Sequence, residues 1–405
     1  LSYIEIGSKE FKKVSACILI GSIVNFALMY SPQPLISLYS ELYHVSPETA
    51  SLSISLTTIT MSACLFFVSL FISAWNRKLI MSYSLILTSL CAILTVFITN
   101  FYIFLALRFF EGIVVAGFPS IAMTYLHEEF SPKDIGKVIG YYVSGTAIGG
   151  FLGRILTGIF TDVLNWHIAF LIQGFICLIA SIWFLLNLPE SNNFNKTNIS
   201  IRRLKSVLVY TLFNARLANL YLTGFLLMGA YITILDYIGY PLTRAPYDLN
   251  QTAFGFLFVV NLVGVFSSAF FGRLADQYSR RFILGIALSI FITGSLLTLE
   301  PSLFIKIIGI SLVAFGFFAG HSVASGWVGF LASKRQKCQA ASYYLFFYYL
   351  GASLLGWTGG FFLKPFGWNG IVYYVCILLV VAFFASVKPF SHKFNLGPIR
   401  VLSKS

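Results

Sequence analysis

A charged or titratable side chain inside an apolar stretch must be paired, protonated or bathed in water, because hydrocarbon solvates ions poorly. Such groups therefore mark where chemistry can be done. This chain places Arg108, Glu111, Arg154, Asp236 and His321 within strongly apolar segments. Asp236 has no cation in its own segment, so it is costly there unless it carries a proton, which is what a proton carrier requires. Arg108 and Glu111 are three residues apart and share a helix face, where they can neutralise each other or where Arg108 can tune a titrating carboxylate. His321 could titrate near neutral pH, although a hydrogen-bonded packing role is the commoner use of such a histidine.

The segments that must hold these groups are membrane helices. Of 405 residues, 58% are hydrophobic and 10% charged, with a mean hydropathy of +0.84. Soluble domains carry roughly 25% charged residues, so this chain must be integral to a bilayer. A spanning helix needs about 20 apolar residues. Apolar runs punctuated by polar residues predict six helices near 14–40, 47–72, 79–98, 102–126, 134–161 and 166–188. Six more are predicted near 218–243, 251–273, 282–299, 303–331, 338–363 and 369–387. Ser46 and Pro47 suit the start of the second.

Of the 27 Lys and Arg, 22 fall on one side of this topology and Arg244, Lys306 and Lys364 on the other. By the positive-inside rule the first side is cytoplasmic, with both termini there. The net charge of +13 is thus a topology signal, and nucleic-acid binding is not expected. The six cysteines have no CxxC spacing and read as core residues, with no metal, cofactor or disulfide implied. No cleavable signal pattern opens the sequence, so the first helix is expected to direct insertion.

The chain also repeats itself. Ala50 returns as Ala253, Arg77 and Lys78 as Arg280 and Arg281, and Ala116 and Gly117 as Ala319 and Gly320, each 203 residues later. A period of half the chain predicts an all-α membrane protein of twelve transmembrane helices in two pseudo-symmetric six-helix bundles. The predicted units are residues 1–189, a polar linker at 190–217 with a short amphipathic helix near 202–215, and residues 218–405. Parallel repeats of this kind occur in secondary transporters, whose substrate sites lie between the halves. Asn25, Tyr30, Gln33, Arg154, Tyr231 and Tyr240 are candidates to line such a cavity. Pro32 and Pro34 should loosen the first helix near its outer end.

Between the eighth and ninth helices stand Gly272, Leu274, Ala275, Asp276, Arg280 and Arg281. Glycine allows two helices to approach, and aspartate can sit at a neighbouring helix N-terminus. This resembles the cytoplasmic-loop motif of the major facilitator superfamily. The first-half copy keeps Arg77 but has Ser69 and Ser73 at the glycine and aspartate positions, which leaves Arg77 to pair with Glu128 or Glu129. Arg108, Glu111 and Gly112 resemble the family's arginine–glutamine–glycine helix motif, with glutamate for glutamine. Gly145, Gly149, Gly150, Gly153 and Arg154 resemble the antiporter motif of exporters, with Gly150 in place of proline and Arg154 in place of the last glycine.

Together these features cover nearly the whole chain and resemble a bacterial drug:proton antiporter-like efflux branch of that superfamily. The resemblance implies proton-coupled efflux of a small organic molecule by alternating access, in the cell inner membrane. Asp236, Glu111, Arg108 and His321 are the candidate coupling groups, with Asp236 the first choice and Arg108 the cation that competes for it. Gly272, Asp276, Arg280, Arg281 and Arg77 would form the cytoplasmic gate. The chain is expected to work as a monomer, with a small-molecule substrate, protons and the bilayer as its partners. A sugar or metabolite carrier would call for a denser set of amides and carboxylates. A non-transporting receptor could share the fold. A membrane-embedded enzyme would need an acyltransferase, HExxH or GxSG signature, and none is present.

Overall fold

The computed structural model describes residues 3–71, 76–131, 135–191, 212, 214–332 and 337–387. Among these the chain is helical with no β-strand. The first half contains α1 (Lys9–Tyr30), α2 (Ile36–Leu42), α3 (Pro47–Phe71), α4 (Arg77–Leu94), α5 (Phe101–Val115), α6 (Gly117–Glu129), α7 (Ile135–Val163) and α8 (Trp166–Asn187). The second contains α9 (Ala215–Tyr237), α10 (Gly239–Leu242), α11 (Gln251–Leu257), α12 (Leu262–Gln277), α13 (Arg280–Leu297), α14 (Leu303–Leu331) and α15 (Lys337–Val387). Residues 202–211 of the expected linker helix, together with Ser73 and the side chain of Ser69, lie outside the described residues.

Ten helical stretches among the described residues are long and apolar enough to cross a bilayer. The last, Gln339–Ser386, bends at Gly367 (φ 59°) after Pro365 and supplies two crossings. The 25-residue α3 is a further crossing, so the spans among the described residues number twelve, arranged as two six-helix bundles. Large apolar side chains such as Phe97, Leu186, Phe266 and Phe304 point outward, as contact with lipid requires. Asparagine opens several helices. The side chains of Asn76, Asn100, Asn165, Asn214 and Asn250 each accept a bond from a first-turn N–H, a cap worth about 1 kcal/mol.

The segment expected at 14–40 is not one helix. Pro32 and Pro34 cannot donate backbone bonds, so α1 ends at Tyr30, a 3₁₀ turn spans Gln33–Leu35, and α2 resumes. The matching place in the second half breaks as well, between α9 and α10. The glycine run of α7 has a packing function. Gly145, Gly149 and Gly153 lie against the backbone carbonyls of Leu19, Ile23 and Ala27 on α1, where any side chain would overlap them.

The repeat is visible as contacts between its own copies. Gln33 bonds Asp236, and Glu41 pairs with Arg244, each across 203 residues. A residue can touch its own symmetry mate only beside the two-fold axis. Both pairs therefore lie on the pseudo-two-fold axis that relates the halves.

Along this axis the halves are closed at the face opposite the basic loops. The Asp162 carboxylate accepts from the backbone N–H groups of Gln251 (3.1 Å) and Thr252 (2.6 Å), capping α11 from the other half. Gly158 packs on the Gln251 carbonyl, and Gly360 on the backbone of Glu48. Deeper in, the hydroxyls of Ser353 and Ser62 donate to the carbonyls of Ser55 (2.7 Å) and Phe346 (2.8 Å), joining α3 to α15.

Candidate functional site

The break after α1 turns Gln33 inward, and its amide stands between an arginine of the same half and a carboxylate of the other. Arg154 Nε donates to Gln33 Oε1 at 2.7 Å, and Arg154 Nη2 donates to the same oxygen. Gln33 Nε2 donates to Asp236 Oδ1 at 2.5 Å. Arginine has only donors, so the amide oxygen must face it and the NH₂ must face Asp236. Arg154 Nη1 donates to the Gly150 carbonyl at 2.6 Å, and the guanidinium lies over the rings of Tyr30 (4.4 Å) and Phe258 (4.9 Å). Gln33, Arg154 and Asp236 are 1%, 5% and 2% exposed. A buried cation and a buried carboxylate thus share one neutral bridge, an arrangement that offsets part of their desolvation cost. Asp236 Oδ2 has no protein partner among the described residues and faces Gly356, beside Ser55.

Arg108 and Glu111 form a separate cluster inside the first half. Arg108 Nη1 meets Glu111 Oε2 at 2.5 Å, Nε donates to the Ser53 carbonyl (2.9 Å), and Nη2 to the Met29 carbonyl (2.8 Å). Thr57 donates to the Arg108 carbonyl at 3.0 Å. These bonds tie α5 to α1 and α3. The cation joined to Asp236 is therefore Arg154, and Arg108 is held elsewhere, by partners of its own half.

His321 pairs with the Tyr344 hydroxyl at 3.0 Å and lies in a run of rings on the second half. Tyr231 stacks on Phe317 (3.8 Å, 2°), Phe317 is nearly parallel to His321 (6.1 Å, 12°), and His321 lies 4.6 Å from Tyr348. Tyr30, Tyr231 and Arg154 lie within electrostatic reach of one another, and Tyr348 within reach of both tyrosines, so this wall adjoins the Arg154 cluster. Tyr240 lies toward the closed face, under Arg244 at 5.6 Å. Asn25 is buried, and neither its amide oxygen nor its nitrogen has a partner among the described residues.

At the opposite end Asp276 is 75% exposed and bonds Arg280 in its own half at 3.3 Å. Arg280 lies over Phe330 (4.1 Å) and Arg281 over Trp327 (6.0 Å), around a cleft of about 500 Å³. Gly272 faces Ser322 of α14. Arg77 makes a two-point ion pair with Glu128, at 2.8 and 3.1 Å. Among the described residues no group of three or more His, Cys, Asp or Glu could hold a metal.

The family model of the Major Facilitator Superfamily matches residues 18–256 and 238–398. The chain belongs to the major facilitator superfamily. It is 41% identical over 386 residues to the uncharacterized MFS-type transporter YybF of Bacillus subtilis (strain 168), with 95% of each chain covered. It is 36% identical over 383 residues to the inner membrane transport protein YnfM of Escherichia coli (strain K12), covering 94% of this chain and 91% of that one. A crystal structure of a bacterial homolog of the human lysosomal transporter Spinster, inward-facing and unoccupied, superposes with a TM-score of 0.77 at 16% identity. That match covers 94% of this chain and 98% of the other. The protein is a multi-pass membrane transporter of this superfamily, and its relatives and fold are not those of an enzyme.

The sequence singled out Gln33, Arg154 and Asp236 but did not join them. The repeat offset could have done so, because 203 residues before Asp236 stands Gln33. Phe258, Ser55 and Gly356 carry no comparable signal: an apolar residue, a serine and a glycine are ordinary in membrane helices.

Proposed function

We propose that this protein is a proton-coupled secondary transporter of a small organic molecule, with Asp236 as the carboxyl group that takes up and releases the proton. The observation that carries this reading is the Arg154–Gln33–Asp236 chain, buried on the axis between the halves. Alternating access requires the halves to part at the face now closed, and Asp236 is bonded across that division. Its bonding partners thus change whenever the transporter changes state, as a coupling group's must. Export in exchange for protons is the direction supported by the resemblance of the α7 glycine run to exporters. A sugar carrier is less well supported, since the buried amides and carboxylates near the axis are few and Gln33 is already engaged. Asp276, Arg280 and Arg281, with Gly272, serve as a gate that meets the first half when the open face closes.

The test is Asp236→Asn in proteoliposomes. Accumulation driven by a pH gradient should vanish while binding of substrate persists, whereas Glu111→Gln should retain most of the activity. Accumulation by the Asp236→Asn protein at the wild-type rate removes the assignment.

The same reading places the protein in the inner membrane as a monomer, with residues 1–189 and 218–405 as its halves and the 190–217 linker and both termini in the cytoplasm. Single cysteines at Ser191 and Leu42, on a background lacking native cysteines, report this. In intact cells an impermeant thiol reagent should label the second and spare the first, and the reverse pattern inverts the topology.

A further inference from the structure

Arg154 has more donors than the protein uses. A guanidinium carries five N–H groups. Nε and one N–H of Nη2 are taken by Gln33, and one N–H of Nη1 by Gly150. One N–H on each terminal nitrogen has no protein partner among the described residues. The Tyr30 and Phe258 rings lie 4.4 and 4.9 Å from the guanidinium carbon, and the two remaining N–H groups point outward in the plane of the group. In-plane approach to two N–H groups is how arginine receives the two oxygens of a carboxylate.

Near Arg154 stands the run of rings of the second half. Tyr231 is within reach of the Arg154 charge and lies flat on Phe317, with His321 and Tyr348 continuing the run. His321 and Tyr348 retain accessible surface although they lie inside the bundle. Tyr231 and Phe317 are buried against each other, so the ring surface left to a ligand is that of His321 and Tyr348, and aromatic faces favour flat ligands through offset stacking.

We infer that the substrate is a planar aromatic compound bearing one negative charge, a carboxylate or its equivalent, held at the edge of Arg154 with its ring against His321 and Tyr348, at the accessible end of the run of rings that begins at Tyr231. This rests on the transport reading above and names the substrate class for it.

The charges around the site then set the sense of coupling. The groups facing Asp236 are Arg154 of α7 through Gln33, Tyr30 of α1, Tyr237 of α9, and the uncharged Ser55 of α3 and Gly356 of α15. With Asp236 ionised, Arg154 is already balanced, and an added anion leaves a buried negative charge. With Asp236 protonated, the anion restores the balance. Anion and proton therefore load together, so for this substrate the proton coupling proposed at Asp236 is kept, but exchange for protons gives way to movement of both in the same direction.

Binding to the purified wild-type protein tests this without relying on any variant's folding. Benzoate, salicylate and indole-3-acetate are compared by calorimetry with their amides and with cyclohexanecarboxylate. At least one aromatic acid should bind roughly tenfold or more tightly than its amide and than the saturated acid, as loss of a charge-assisted bond or of ring stacking implies. That acid should bind more tightly at mildly acidic than at mildly alkaline pH. In Arg154→Gln the preference for acid over amide should disappear. Equal binding of acid and amide overturns the anion. Equal binding of the saturated acid overturns the ring wall. Affinity independent of pH overturns joint loading, and no binding by any of the three acids overturns the whole. A failure of the coupling reading looks different: the acid preference survives, but no pH gradient drives accumulation.

Discussion

Two buried arginines, Arg108 and Arg154, solve the same problem in opposite ways. Arg108 lies against a carboxylate one turn away and against two carbonyls, all in its own half. Its partners travel with it however the halves move, so it can be fully bonded in every state of the cycle. Arg154 reaches its carboxylate through an amide and across the boundary between halves. Of that set, the Gln33–Asp236 bond crosses between the halves and exists only while this face is closed. A charge bonded within one rigid body holds that body together, whereas a charge bonded between two bodies reports, and can decide, how they stand to each other. Sequence position alone would rank the two equally, since both arginines interrupt apolar helices.

Separate readouts should show the contrast, and the largest effect is expected at Arg108. Arg108→Leu leaves Glu111 buried without its cation, and breaking such a pair costs about 3–5 kcal/mol. The purified variant should unfold at a markedly lower temperature, and expression should fall. Arg154→Leu breaks no direct ion pair, and Asp236 keeps its bond from Gln33, so the melting temperature should drop far less while transport is lost. Equal thermal losses in the two variants would erase the distinction.

The sequence made most of the fold legible, and physics says why. Twelve apolar runs are forced by the need to satisfy every backbone group inside a bilayer, and the 203-residue period announces the two halves. Helix breaks were harder to read. Pro32 and Pro34 signalled one at α1, while the matching break at Ile238 rests on the single Pro241, which cannot donate to the Tyr237 carbonyl. At the site, each member of the Arg154–Gln33–Asp236 chain stood out by type. Their union did not, because contact across the axis depends on which face is closed. Asp276 illustrates the same limit: its motif was clear, yet with the opposite face closed it bonds only Arg280 among the described residues.

A second way to sharpen the comparison uses the axis itself. Because Glu41 and Arg244 meet beside it, cysteines at both positions can be bridged by a short bifunctional reagent. The bridge should hold this face shut and stop transport, and cleavage of a reducible linker should restore it. The Arg108 cluster predicts nothing comparable, since a bridge between α3 and α5 of the same half should leave transport running. A protein that still transports while bridged at 41 and 244 would show that this face does not open in the cycle.

The smallest effect is expected at that same pair when its charges alone are removed. Glu41 and Arg244 are 3.0 Å apart but about half exposed, at 52% and 54%. Water and salt screen such a contact, and exposed pairs are worth roughly 0.2–1 kcal/mol. Glu41→Gln with Arg244→Gln should therefore alter the transport rate no more than a few-fold, with a slight bias toward opening of this face because one of its fastenings is lost. The Asp162 cap on α11 remains, and it bonds two backbone groups at once. Asp162→Ala should consequently exceed the double charge removal in its effect on how readily this face opens, measured as reaction of a cysteine at Thr252 with an impermeant reagent. If removing the exposed charges opens the face as much as Asp162→Ala does, closure depends on the ion pair on the axis and not on the helix cap, and the ranking proposed for the two is reversed.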